Sequence, residues 1–137
     1  MDEANMASCS TARGRLVENH DSMIVLGLDG TDYQLYLAVA SPVGEKIGKS
    51  VAGRILARAK RVDVVCTGGR YIEPIYGRPR RLQGRIMQLD PAANALTVQT
   101  ACPFVCELTI GQRTSDFDVS QLVAFDIESS VRFEPMN

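Results

Sequence analysis

Tryptophan is absent from this chain, and histidine occurs once, as His20. One histidine in a turn, with none near a serine or cysteine motif, gives no triad logic. A phosphate loop is missing too, because Gly68-Gly69 is followed by neither the G-x-x-x-x-G-K-[S/T] pattern nor a helix. Long apolar runs are lacking. The longest uncharged one, residues 35–43, is interrupted by Ser41 and Pro42 and falls far short of the roughly 20 residues a membrane helix needs. The first residues, MDEANMASCSTA, have no apolar core, so they do not make a secretory signal. They read as a loose tail over 1–12, and the mature chain is expected in the cytoplasm. Cysteine is sparse: Cys9, Cys66, Cys102 and Cys106. The gap between Cys102 and Cys106 is wider than that of most zinc knuckles, so reduced, buried or half-buried thiols are expected, with no metal and no cofactor. An enzyme is the less expected class.

What is present fits one domain over 13–137, with 45% apolar and 23% charged residues, close to globular averages. Its patterning is that of strands. Gly14 to Val17, Met23 to Leu28 and the alternating Tyr33, Leu35, Leu37 and Val39 are separated by Asn19-His20-Asp21 and Asp29-Gly30-Thr31-Asp32, which makes a β-meander. In residues 51–60 the odd positions are apolar or small, and Arg54, Arg58 and Lys60 lie on the even ones. That predicts a strand with a basic outer face, although Val51, Ile55, Ala59 and Val62 also keep a helical period. The apolar parity then moves to Val62, Val64 and Cys66, which requires a bulge or corner. Thr67-Gly68-Gly69-Arg70 reads as a tight hairpin, and Pro74 places the returning strand at an edge or makes it leave the sheet. Leu82 to Leu89, then Leu96 and Val98, then Val105, Cys106, Leu108 and Ile110 read as further strands. The expected fold class is all-β: eight to ten short strands forming a small barrel or a pair of fused small barrels.

An internal echo accompanies this pattern. Laying 46–59 on 118–131 puts Ile47 on Val119, Val51 on Val123, Ala52 on Ala124, Ile55 on Ile127 and Ala59 on Val131. Upstream, Gly14-Arg15-Leu16-Val17 resembles Gly84-Arg85-Ile86-Met87. Two pseudo-repeats of about 70 residues, with halves 13–66 and 84–134, would produce this self-similarity. Their charges are opposed at equivalent places, Lys46 against Asp118 and Arg54 against Asp126.

Charge carries the functional signal. Residues 46–85 hold eleven of the fifteen lysines and arginines against two acids, Asp63 and Glu73, so this stretch carries about +9 within a chain of net charge −1. Arg54 and Arg58 have the R-x-x-x-R spacing that resembles the element of cyclic-di-nucleotide-binding PilZ domains. The D/N-x-S-x-x-G stretch that accompanies it there does not follow Arg58, so the likeness covers five residues and names no family. The denser cluster is Arg70, Tyr71, Tyr76, Arg78, Arg80 and Arg81. Guanidinium groups bind phosphate in bidentate fashion and aromatic faces stack on unpaired bases, so these six form the candidate site for single-stranded nucleic acid or another polyanion. Each residue singly also fits a solubilised edge strand. The acids Asp116, Asp118, Asp126 and Glu128 alternate with Phe117, Val119 and Phe125 as a solvated face does. Two function classes follow: a non-catalytic nucleic-acid-binding module, and a structural protein that oligomerises by setting one copy's basic half against another's acidic half.

Overall fold

A computed structural model describes residues 10–109 and 111–136. It is almost entirely β. The strands are β1 (Ala12–Asn19), β2 (Met23–Gly27), β3 (Gln34–Ala38), β4 (Ser50–Arg58), β5 (Asp63–Val64), β6 (Tyr71–Glu73), β7 (Tyr76–Gly77), β8 (Arg81–Asp90), β9 (Ala95–Gln99), β10 (Pro103–Glu107), β11 (Leu122–Asp126) and β12 (Arg132–Pro135). A 3₁₀ turn spans Thr114–Asp116. The strands outnumber the eight to ten expected because β5, β6 and β7 are two or three residues long, too short to show a period.

Two small rings share β4. In the first, β1, β2, β3, β12 and β4 follow one another, and β4 pairs back onto β1, so the barrel is closed. In the second, β4 continues to β10, β9, β8 and β11. An Ala59–Ile127 bridge closes this ring, flanked by Lys60 N–H to Asp126 C=O and Glu128 N–H to Arg58 C=O, both 2.8 Å. The alternation of β4 explains how it serves both rings. Gly53, Ile55, Ala57 and Ala59 are buried, Arg54, Arg58 and Lys60 are exposed, and the helical reading of this stretch is replaced by a strand. Leu16, Ile24, Leu26, Leu35 and Leu37 from one ring belong to the same apolar cluster as Ile86, Leu96, Val98, Phe104 and Cys106 from the other.

The halves repeat one register. Arg15 faces Gly27 and Leu16 faces Leu26, as Arg85 faces Gln99 and Ile86 faces Val98; each pair of strands then slips by one residue, at Val17 in one half and at Met87 in the other. Ser50 lies opposite Arg15 as Leu122 lies opposite Arg85. The loops agree as well: Gly48 N–H donates to Leu16 C=O at 2.8 Å, and Ser120 N–H to Ile86 C=O at 2.7 Å. A Cβ on Gly14 would stand 2.7 Å from Gly27 O, and one on Gly84 would stand 2.2 Å from Gln99 O. The same close backbone approach therefore requires glycine at both places. Beyond this, each half lends strand to the other ring, since β12 inserts between β3 and β4 while the end of β4 inserts between β10 and β11.

Two local expectations are overturned. The Gly68-Gly69 hairpin does not form: β5 pairs with β11 and β6 with β8, so residues 65–70 cross from one partner strand to another. The buried side chain of Gln83 occupies the inside of that crossing and donates to Gly69 C=O at 2.9 Å. The inward parity of Val62, Val64 and Cys66 holds only for Val62; the corner at Lys60 and Arg61 leaves the other two exposed. Pro74 does end β6, as its missing N–H demands. Ile110, read as a strand position, and most of the 1–12 tail lie outside the described residues, whereas Ala12 is fully buried in β1.

Candidate nucleic-acid interface

The loop 73–80 is built from both rings. Its ends are tied by Arg80 N–H to Glu73 C=O at 2.8 Å, and its tip is docked on β3 by Gln34 N–H to Ile75 C=O at 2.9 Å and by the pairing of β7 with Gln34 and Leu35. Pro79 is buried, so Arg78 and Arg80 on either side of it are turned to solvent. Ile127 N–H donates to Arg80 C=O at 2.8 Å, which fixes Arg80 beside the bridge that closes the second ring. Lys60 arrives at the same bridge from β4.

These anchors produce an open groove of about 540 Å³ in which Lys60, Arg78, Arg80 and Arg81 stand with Glu73, Asp126 and Ser129. The six sequence candidates divide here. Arg78, Arg80 and Arg81 line the groove; Arg70 stands on the 65–70 crossing and does not. Arg81 is committed: its Nη1 meets Asp126 Oδ1 at 3.0 Å and its Nε donates to Tyr71 Oη at 3.4 Å. Tyr71 and then Asp126 raise its pKa, which keeps it charged at any ordinary pH. Tyr71 is thus half-buried and already engaged. Lys60, Arg78 and Arg80 make no ion pair among the described residues. Tyr76 is 57% exposed and stacks edge-to-face on Tyr36, with centroids 5.4 Å apart and planes at 65°. The Tyr36 phenol is pushed up to about 12, by the Tyr76 side chain first and by burial second.

Lys60, Ser129 and Tyr36 were missed as site residues. For Lys60 and Tyr36 a signal existed, since both occupy the outward parity of a strand whose inward residues are plain; nothing in the sequence marks Ser129. Elsewhere the basic stretch meets its acids within the chain: Arg54 with Glu134 at 3.0 Å, Arg58 with Glu128 at 3.2 Å and Glu107 at 3.4 Å, and Arg61 with Asp63 at 3.2 Å. The two arginines of the R-x-x-x-R element are therefore engaged by carboxylates. All these pairs are exposed, and each contributes about 0 to 1 kcal/mol.

The two buried thiols offer no reactive alternative. Burial pushes Cys102 up to about 12 and Cys106 higher still, so both stay neutral. Cys66 is exposed, and Cys9 lies outside the described residues. Among the described residues no group of three or more histidine, cysteine or carboxylate side chains could hold a metal ion, and no helix is long and apolar enough to cross a membrane. The groove brings Lys60, Arg78, Arg80 and the Ser129 hydroxyl together with the Glu73 carboxylate, none of the four charged groups in an ion pair among the described residues. No protein-family model matches this chain, and no curated protein matches it either.

Proposed function

We propose that this chain is a cytoplasmic, non-catalytic binding module whose groove takes a polyanion, single-stranded nucleic acid first among them. The observation that carries the reading is an internal control. The fold builds the equivalent place twice. In the first half Arg54 faces Glu134 and is neutralised by it; in the second Asp126 stands where Arg54 does, and Arg81 takes it up. Lys60, Arg78 and Arg80 stand without an ion pair among the described residues on one groove, against the single unpaired carboxylate of Glu73, an excess of positive charge that solubility does not call for. Its open shape suits a strand laid across it rather than an enclosed small molecule. Titration of a fluorescently labelled single-stranded oligonucleotide at about 50 mM salt, where electrostatic binding is strong, tests it: binding is expected, and no change in anisotropy ends the reading.

A second reading, self-association, draws on another pair of equivalent positions. Ile47 is 66% exposed beside Lys46 and Lys49, and Val119 is 53% exposed beside Asp118, on loops with the same backbone hydrogen bond. A contact between these two loops of different copies is heterologous and builds chains or rings. Sedimentation across a salt series checks it: the expected oligomers dissociate as salt rises, and a monomer at low salt removes the idea.

A further inference from the structure

We propose that Tyr36 and Tyr76 together form a nucleobase-stacking ledge, and that the ligand of the adjoining groove is therefore an unpaired strand rather than a duplex or a bare polyphosphate. The inference rests on the groove reading above and extends it to residues on the other ring. Tyr76 lies two residues before Arg78, so their backbones are at most about 7 Å apart, within the span of one nucleotide. Loop 73–80 presents its base, Pro74, Arg78 and Arg80, to the groove and its tip, Ile75 and Tyr76, to solvent beside β3. Ile75 is 56% exposed and Tyr76 57%, two large apolar side chains on the loop whose base, Pro74 and Arg78, lines the cationic groove.

The ledge is preorganised. Tyr76 packs edge-to-face with Tyr36, and the loop tip is hydrogen-bonded to Gln34, so a base arriving on the exposed ring finds it already oriented. Rigid aromatic anchors cost little conformational entropy on binding. Tyr71, the other aromatic of the sequence cluster, is assigned no stacking role, because it is half-buried with its hydroxyl on Arg81. A duplex keeps its bases stacked on one another and cannot offer one to the ledge, whereas an unpaired strand can place a phosphate between Arg78 and Arg80 and lay the attached base on Tyr76.

Three labelled probes of equal length separate the parts: an oligothymidylate, an abasic strand with the same phosphates, and a duplex. The intact protein is expected to bind oligothymidylate about 5- to 150-fold more tightly than the abasic strand, the range one stacked base contributes. Tyr76→Ala and Tyr36→Leu should bring the two affinities together by weakening only the first. An oligonucleotide carrying 2-aminopurine should lose fluorescence on binding the intact protein and not on binding Tyr76→Ala. Tyr36→Leu retains apolar bulk on β3, and circular dichroism confirms that each variant is folded. Equal affinity for the base-bearing and abasic strands, unchanged by the tyrosine variants, overturns the ledge while leaving the groove standing. Failure of all three probes to bind overturns the groove and the ledge with it.

Discussion

At the scale of single residues, the repeated register makes paired predictions possible. A Cβ at Gly84 would come within 2.2 Å of Gln99 O and 3.0 Å of Thr100 Cγ2, so Gly84→Ala must displace a paired strand. It should cost about 3 kcal/mol in urea unfolding, the upper part of the range for overpacked sites. Gly48 and Ser120 occupy equivalent turns at φ +91° and +78°, and only one of them is glycine. Ser120→Gly is expected to stabilise the protein by up to about 1 kcal/mol by relieving a left-handed conformation, and Gly48→Ser to destabilise it by about 1 to 2. Thermal melts of the two variants should move in opposite directions. Such sites were partly legible: the Gly14 and Gly84 quartets flag each other in the sequence, but Ser120 does not announce a positive φ.

Among the elements, alternation was the dependable signal and turn chemistry was not. Leu35, Leu37 and Val39 point inward as their spacing requires, and β4 is a strand because Gly53, Ala57 and Ala59 leave room for its neighbours to pack close. Gly68-Gly69 misled because a glycine pair states what the backbone can do and not which strands flank it; Gln83, fourteen residues on, decides that. The exchange of strands was illegible for a related reason. Nothing local in Val131, Arg132 and Phe133 records that they join the first ring, since parallel pairing with Ala38 depends on a surface assembled from the far end of the chain. Phe133 is 2% exposed, and its ring would meet any Cβ at Gly53 at 2.7 Å. Phe133→Ala should therefore cost about 3 to 5 kcal/mol. Hydrogen exchange should show that loss in β1 and β2 as well as in β11, because β12 staples the first ring.

For the molecule as a whole, charge and burial set how it responds to solution conditions. The thiols of Cys102 and Cys106 are held neutral above the pH at which unfolded thiols ionise. The native state then binds more protons than the unfolded one, so stability falls as pH rises above about 9, where an unfolded thiol ionises, by up to about 1.4 kcal/mol per pH unit for each thiol. Urea midpoints at pH 7 and pH 10 should differ, and Cys106→Ala should reduce the difference. The candidate site was legible as a cluster of charge and only partly as a geometry. Arg78, Arg80 and Arg81 meet in one groove, but Arg70 falls outside it and Lys60 enters from a strand that sequence distance hides. The salt dependence of binding measures this geometry directly. With Lys60, Arg78 and Arg80 as the cations that displace counterions, log affinity for single-stranded DNA should fall against log salt with a slope of about −2. Replacing Arg78 and Arg80 together by serine should flatten that slope to about −0.7. A slope left unchanged by the double variant would contradict the assignment of the groove as the binding site.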